Sequence, residues 1–394
     1  MRVDLLDPPA YLPSYDHELA RALARTGVSV RLLTGPFVYG PVPAPDGYDR
    51  KVVFYRRAVS GAHPRRRRVH KLAAHLPGLV SYRRHAAGDL CHVQWLTLPA
   101  LDLALLPRRP LVLTLHDPFT RGRPDQWIPA AALRRVGAII VHSGFAREQL
   151  LLRVPGLAPG RVHVVPIGMS AAPAPGAPGP AAVDAPGAPA PRSAGAPAPT
   201  ETEAASGAPE LPPELVPSGR PVVLLYGLIR PYKGLEALLA AWRQVHGADL
   251  WVVGRPMYDI AEEIAGAPAG VQFVPRYVDG LEERALLQAA DVLVVPYLPA
   301  GQFSSSAVLA TAMAAAKPVV ASALGSFTEL IAAGGVRGVP PADPAALAAG
   351  LQELIDDPGA RAALGARAAA LATGPFSWAA AAEATVDVYR TVLG

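Results

Sequence analysis

Short, continuous apolar runs recur along this chain, separated by stretches whose apolar residues repeat with helical spacing. In the first half the runs are RVDLL, VSVRLL, KVVFY, LCHVQWL, PLVLTLH, GAIIVH and VHVVP; in the second they are VVLLYG, DLWVVG, VQFVP, DVLVVPY and KPVVASA. Between them YDHELARALARTG, residues 66–87, SGFAREQLLLRV, GLEALLAAWRQV, DGLEERALLQAA and SSSAVLATAMAAA read as helices. A strand that is apolar on both faces must be covered on both, and parallel strands joined through helices meet that demand. The expected class is α/β, with parallel sheets between layers of helices.

Residues 171–215 break the pattern. They are built from Ala, Pro and Gly, in phrases such as PAPGAPGPAA, and offer no periodic face to bury. This composition suits a disordered or polyproline-like linker. On either side lie residues 1–170 and 216–376, expected as two Rossmann-like domains facing each other across a cleft. A chain of 394 residues is long enough for two full cores.

The formal charge of +5 is unevenly spread: Lys and Arg crowd the first 170 residues, and acidic residues prevail beyond them. A basic first half favours anionic partners such as phosphorylated substrates or acidic lipid headgroups. Nucleic acid fits poorly, because no aromatics interleave with the cations and no binding motif is present. Arg65, Arg66, Arg67 and Arg68 adjoin a helix-like repeat of Val69, Leu72, Leu76 and Val80. That pattern suits either a solvated basic helix or one resting on an anionic membrane. No leader pattern and no apolar window of spanning length occur, and Cys91, the single cysteine, sits in a strand-like run. A cytoplasmic protein is expected, with a peripheral place on the inner face of the membrane as an option.

In open α/β sheets ligands bind beyond the C-terminal ends of the strands, so the residues after each run carry the functional expectations. YGLIRPYKG ends a strand with Gly227, Arg230 and Lys233 and begins a helix near Gly234. Two cations at a helix start suit a phosphate group as well as they suit a solvated turn. WVVGRP ends a strand at Gly254, and VPRYVDG leaves one through Tyr277 and Val278, where a nucleobase could be held. Ser304, Ser305 and Ser306 precede a small-residue helix, either as caps or as donors to an anion. Glu329 lies near a further helix start. In the first half His116 and Asp117 follow LVLTL, and Tyr15, Asp16 and His17 stand where a helix begins, with Asp16 suited to capping it.

Taken together, these phrases resemble the retaining glycosyltransferases of the GT-B type, group 1 or family 4. DPPAYLPSYDHELARAL, HVQWL, LTLHDP and VHVVPIG look like that family's acceptor-side domain, and YGLIRPYKGLEALLAAW, LWVVGRP, ADVLVVPY and ATAMAAAKPVVAS like its donor-side domain. FSWAAAAEATVDVYRTVL resembles the closing helix, residues 377–394, which in that family crosses back to the first domain. The resemblance implies transfer of a hexosyl-type sugar from a nucleotide-diphosphate sugar to an acceptor hydroxyl, with retention and without a metal or other cofactor. It places Lys233 as the phosphate-binding lysine and His116 in the loop facing the donor sugar. Arg230 stands two places after the family's usual arginine, where this chain has Leu228. The family's E-x7-E carboxylates fall on Phe303 and Thr311, and SSSAV, with Ala307 and Val308, resembles the phrase that replaces them in a subset. Gly227, Gly254, Tyr277, Val278, Ser304 to Val308, Thr311 and Glu329 are therefore expected around the donor. Tyr15, Asp16, His17 and Asp117 are expected on the acceptor side. Loss of both carboxylates leaves a rival reading, an inactive GT-B subunit that binds a nucleotide or a partner enzyme.

Overall fold

The computed structural model describes residues 1–37, 42–55, 64–116, 128, 130–169, 208–278, 280–299 and 306–394, and of residues 64–73, 130 and 131 the backbone alone. Two all-parallel sheets organise them. The first contains β1 (Arg2–Asp7), β2 (Ser29–Thr34), β3 (Asp49–Val52), β4 (Leu90–Val93), β5 (Leu111–Thr114), β6 (Ala138–Val141) and β7 (Val162–Val164), in the order β3-β2-β1-β4-β5-β6-β7. The second contains β8 (Val222–Tyr226), β9 (Asp249–Val253), β10 (Val271–Val274), β11 (Val292–Val295), β12 (Val319–Ser322) and β13 (Arg337–Val339), in the order β10-β9-β8-β11-β12-β13. The strand order reverses between β1 and β4 and again between β8 and β11. At such a point neighbouring connections leave in opposite directions and open a crevice at the C-terminal rim.

The apolar runs are buried on both faces, as their composition demands. Along β11, Leu293 and Val295 join one cluster with Trp251, Ala312 and Ala368, while Val292 and Val294 join another with Leu238, Trp242 and Leu351. In the first sheet Val3 and Leu5 pack with Leu23 and Val112, and Leu6 packs on the opposite face with Val93 and Ile139. Strand β13 has no counterpart among the apolar runs. It is three residues long and includes Gly338, where a Cβ would come within 2.7 Å of Ile331.

The chain passes between the sheets at two adjacent points. Met169 N–H donates to Phe376 O at 2.7 Å, and Gly168 lies so close under the Trp378 ring that a Cβ would run into it. Beyond this crossing the Trp378–Leu393 helix packs on the first sheet, with Ala381, Ala382, Val386 and Tyr389 in the cluster of Val3 and Leu5. Residues 208–215, expected as linker, are ordered against the second sheet. Leu215 is buried, Leu211 packs beside it, and Glu214 pairs with Arg276 at 2.7 Å. Two leucines four apart give this part an apolar anchor that the preceding Ala/Pro/Gly phrases lack. Residues 171–207 lie outside the described residues.

Gly234 and Gly219 both have left-handed backbones, at φ +74° and +83°. A Cβ on Gly234 would run into Pro296 O, whereas one on Gly219 meets nothing within 4 Å. In urea unfolding, Gly219→Ala should cost about 1 kcal/mol and Gly234→Ala about 2 kcal/mol or more. Equal losses would show that the close approach of the β11 loop does not matter.

Candidate active site

The crevice between β8 and β11 is built around one amine. β8 ends at Gly227, whose φ of +101° turns the chain into a short 3-10 turn, Pro231–Lys233, ahead of the Leu235–Trp242 helix. Lys233 Nζ lies 3.1 Å, and Val308 Cγ2 3.2 Å, from where a Gly227 Cβ would sit, so only glycine leaves the amine room. The ring of Tyr297, just after β11, stands 5.8 Å from the same amine. Burial lowers the Lys233 pKa from 10.5 to about 8, and the charge of Arg230 pushes the same way. Among the described residues no carboxylate contributes to that environment. A buried ammonium is favoured by a nearby anion.

Tyr297 also reaches the opposite wall. Its hydroxyl lies 3.2 Å from Ser306 Oγ, which caps the Ala307–Ala314 helix by accepting from Leu309 N–H at 3.3 Å. Of the two readings for the serines, Ser306 takes the capping one. Ala307 and Val308 hold the first turn, whose amides have no partner within the helix. Thr311 is half-buried one turn further on. Phe303, Ser304 and Ser305 lie outside the described residues.

Two residues expected around the donor have packing roles. A Cβ on Gly254 would run into Gly227 O, so this glycine accommodates the neighbouring strand end. Val278 is buried among Val274, Leu286 and Leu287. Tyr277 is 60% exposed at the rim. Glu329 points to the other domain, and its Oε1 accepts from Phe145 N–H at 3.2 Å. Because Glu329 follows β12 and Phe145 follows β6, the C-terminal rims of the two sheets meet there. Sequence reading passed over Glu283, a buried carboxyl hydrogen-bonded to Tyr226, with its pKa raised to about 7 by burial.

On the first domain's rim, His116 is buried and both its ring nitrogens are engaged. Nδ1 lies 3.0 Å from His142 Nε2, and Nε2 lies 3.0 Å from the Gln94 carboxamide. Trp95 stacks on the ring at 4.5 Å between centroids, and Tyr15 meets it edge-on at 4.7 Å. Burial, then His142 and His92, hold the His116 pKa well below its usual value. Asp16 neither caps its helix nor faces solvent. The Pro13–Arg25 helix has Leu12 at its N-cap without a side-chain bond, and Asp16 is 1% exposed. Burial first, and the neighbouring Asp7 second, raise the Asp16 pKa well above the carboxylate range, so it keeps its proton in a bond with Asp7. His17 turns away from His116, with Nδ1 2.9 Å from Tyr48 Oη. Asp117 lies outside the described residues, as do the side chains of Arg65 to Arg68, whose backbone belongs to the Pro64–His85 helix. Gln94 and His142 follow β4 and β6 directly, and the strand-end rule applied to those two runs would have found them.

Residues 220–357 match the family model described as Glycosyl transferases group 1, and residues 14–172 match Glycosyltransferase Family 4. A D-inositol 3-phosphate glycosyltransferase of Kineococcus radiotolerans is 29% identical, over 95% of this chain and 89% of its own. An alpha-maltose-1-phosphate synthase of Mycolicibacterium smegmatis is 31% identical, over 76% of this chain and 77% of its own. A solved sucrose-phosphate synthase from Thermosynechococcus elongatus shares the fold, with a TM-score of 0.66 over 100% of this chain and 99% of its own at 20% identity. One family model spans the second sheet and the other spans the first from β2 to β7, so the chain belongs to the group 1, family 4 glycosyltransferases of the GT-B fold.

Proposed function

We propose that the protein moves a sugar from a nucleotide-diphosphate sugar to an acceptor hydroxyl, with retention of configuration and with side-chain cations in place of a metal. The observation that carries this reading is the Lys233 ammonium buried at the β8–β11 crevice, beside which no carboxylate stands among the described residues. As the bond between sugar and diphosphate lengthens, negative charge gathers on the departing phosphate. Lys233, Arg230 and the first-turn amides of the Ala307–Ala314 helix are the preorganised donors for it. Tyr277 at the rim receives the nucleobase. His116, with both nitrogens engaged, offers the sugar a peptide group and a ring edge rather than a proton.

The relatives' names speak of D-inositol 3-phosphate, maltose-1-phosphate and sucrose-phosphate. Together with the basic first domain, they support an acceptor that carries negative charge. On the Pro64–His85 helix, His75, Leu79 and Tyr82 face inward while Leu76 and Val80, each 42% exposed, face outward with Arg83 and Arg84. No helix among the described residues is long and apolar enough to cross a membrane. An outward apolar and cationic face supports resting on an anionic lipid surface, where a lipid-borne acceptor would be met.

Lys233→Ala should lower turnover by on the order of 10² to 10³ with the fold retained. Near-normal kinetics would refute the assignment, and donor binding without turnover in the wild type would favour a non-catalytic subunit.

The same lysine sets two pH dependences. Ligand-free Lys233→Met should be more stable than wild type, because it removes a buried charge. The folded pKa is the lower one, about 8 against 10.5, so the wild-type penalty is full below pH 8 and fades between 8 and 10.5. The variant's advantage in urea midpoint should shrink over that window. Affinity for a nucleoside diphosphate should fall above pH 8, as the ammonium loses its proton.

In flotation with anionic vesicles, the protein should bind at low salt and release at high salt. Absence of binding at low salt would end the membrane reading.

A further inference from the structure

The imidazoles of His92, His116 and His142 form a buried chain with Gln94 and Tyr389. Its polar contacts admit one arrangement of hydrogens without charge. Val165 O can only accept, so His142 Nδ1, 2.9 Å away, must donate. A neutral imidazole carries one N–H, which leaves His142 Nε2 as a lone pair. His116 Nδ1, 3.0 Å from that lone pair, must then carry its own hydrogen, and His116 Nε2 becomes the acceptor. The carboxamide of Gln94 is placed with its Oε1 3.0 Å from His116 Nε2 and its Nε2 3.1 Å from His92 Nε2. The O and N of an amide are interchangeable by a half-turn, and this pattern requires the turned form, with NH2 toward His116. Its oxygen then faces His92 Nε2 at 3.1 Å. His92 Nε2–H donates to that oxygen or to Thr114 Oγ1 at 2.7 Å, and His92 Nδ1 accepts from the Tyr389 hydroxyl at 2.6 Å.

The opposite carboxamide orientation fails. It moves the His116 hydrogen to Nε2 and sets two lone pairs against each other, 3.0 Å apart, unless His116 or His142 becomes a cation, which burial disfavours for both. Among the described residues no charged group supports that cation. Trp95, Tyr15, Gln94, Val165 and the other imidazoles pack on the two rings. Asp16, beside Tyr15, has its pKa raised well above the carboxylate range and retains its proton. Burial holds His142 neutral down to about 4. An uncompensated buried imidazolium is more costly than a rotated amide.

We infer that Gln94 and His142 are positioning residues that lock His116 as the Nδ1–H tautomer, through a one-way hydrogen-bond chain running from the Tyr389 hydroxyl to the Val165 carbonyl. The inference rests on the proposed function only for the place of His116 beside the donor sugar. The lock leaves no N–H of His116 for a ligand and makes its ring a fixed, uncharged wall of the crevice. It also joins the two segments beside the domain crossing, since Tyr389 lies on the last helix and Val165 lies just before Met169.

The test uses the full chain with 15N-labelled histidine and long-range 1H–15N spectra of the unliganded protein at pH 7. The expected result is hydrogen on Nδ1 and none on Nε2 for both His116 and His142. Gln94→Glu would place a carboxylate against the His116 lone pair, draw in a second hydrogen and give an imidazolium. A wild-type His116 protonated on Nε2, or one that stays neutral in Gln94→Glu, would overturn the tautomer. If the variant does not fold, the wild-type spectrum decides alone.

In transfer assays Gln94→Glu should lower kcat on the order of 10- to 100-fold, with a smaller change in donor KM. The loss should recede as pH rises and the imidazolium gives up its proton. An unchanged kcat would overturn the positioning role. A wild type that binds donor without any transfer would instead count against the proposed function and leave the spectra to decide the tautomer.

Discussion

Burying an ammonium group without a carboxylate costs a folded protein several kcal/mol, and the second domain buries Lys233 with none beside it among the described residues. The surrounding geometry exists to keep the group there. Gly227 gives up a side chain so that the amine can lie against its backbone, and Gly234 gives up one so that the loop after β11 can close over the turn. Tyr297 lays its ring beside the amine and sends its hydroxyl to the cap of the facing helix. The charge is thus held in a rigid frame with one side unfinished, and a diphosphate is the chemistry that finishes it. Stability and binding are opposed at this residue.

The first domain treats the equivalent place in the opposite way. Both sheets are buried on both faces, so polar groups collect at the C-terminal rims, and both change direction beside their first strand. At the β1–β4 rim, however, both nitrogens of His92, His116 and His142 find partners inside the protein, and Asp16 shares its proton with Asp7. One rim presents a buried charge and the other neutral imidazoles, with Asp16 Oδ1 and the Trp95 indole nitrogen buried beside them without a partner among the described residues. That contrast suits a reaction in which charge develops on one partner only, the leaving diphosphate.

What the sequence made legible follows from range. The apolar runs, Gly227 and Lys233 were readable because the rule about strand ends acts within a few residues. The fates of Asp16, Gly254 and Val278 were decided by groups on other strands and helices: Asp7, the Gly227 carbonyl, and Leu286 with Leu287. His92 and Tyr389 are 297 positions apart, and no local pattern announces their bond. The order of residues 208–215 was hidden by the Ala/Pro/Gly composition upstream, although Leu211 and Leu215 already supplied an anchor. Strand β13 was too short to show a period, and it exists because β12 offers it an edge.

Two contacts between the domains differ in what they permit. The Met169–Phe376 bond sits at the crossing itself, where the chain must pass in any arrangement of the domains. The Glu329–Phe145 bond lies at the rims, where a carboxylate of one domain meets the N-terminus of the Gly144–Arg153 helix of the other. A charged hydrogen bond at a helix start is favourable, but this one is exposed, so its contribution is on the order of 1 kcal/mol. It can break while the crossing stays intact. A closed arrangement held so weakly shifts with any ligand that touches both rims, because such a ligand has more differential binding energy than the latch supplies. On the proposed function, a donor held by Lys233 with its sugar against His116 would be such a ligand.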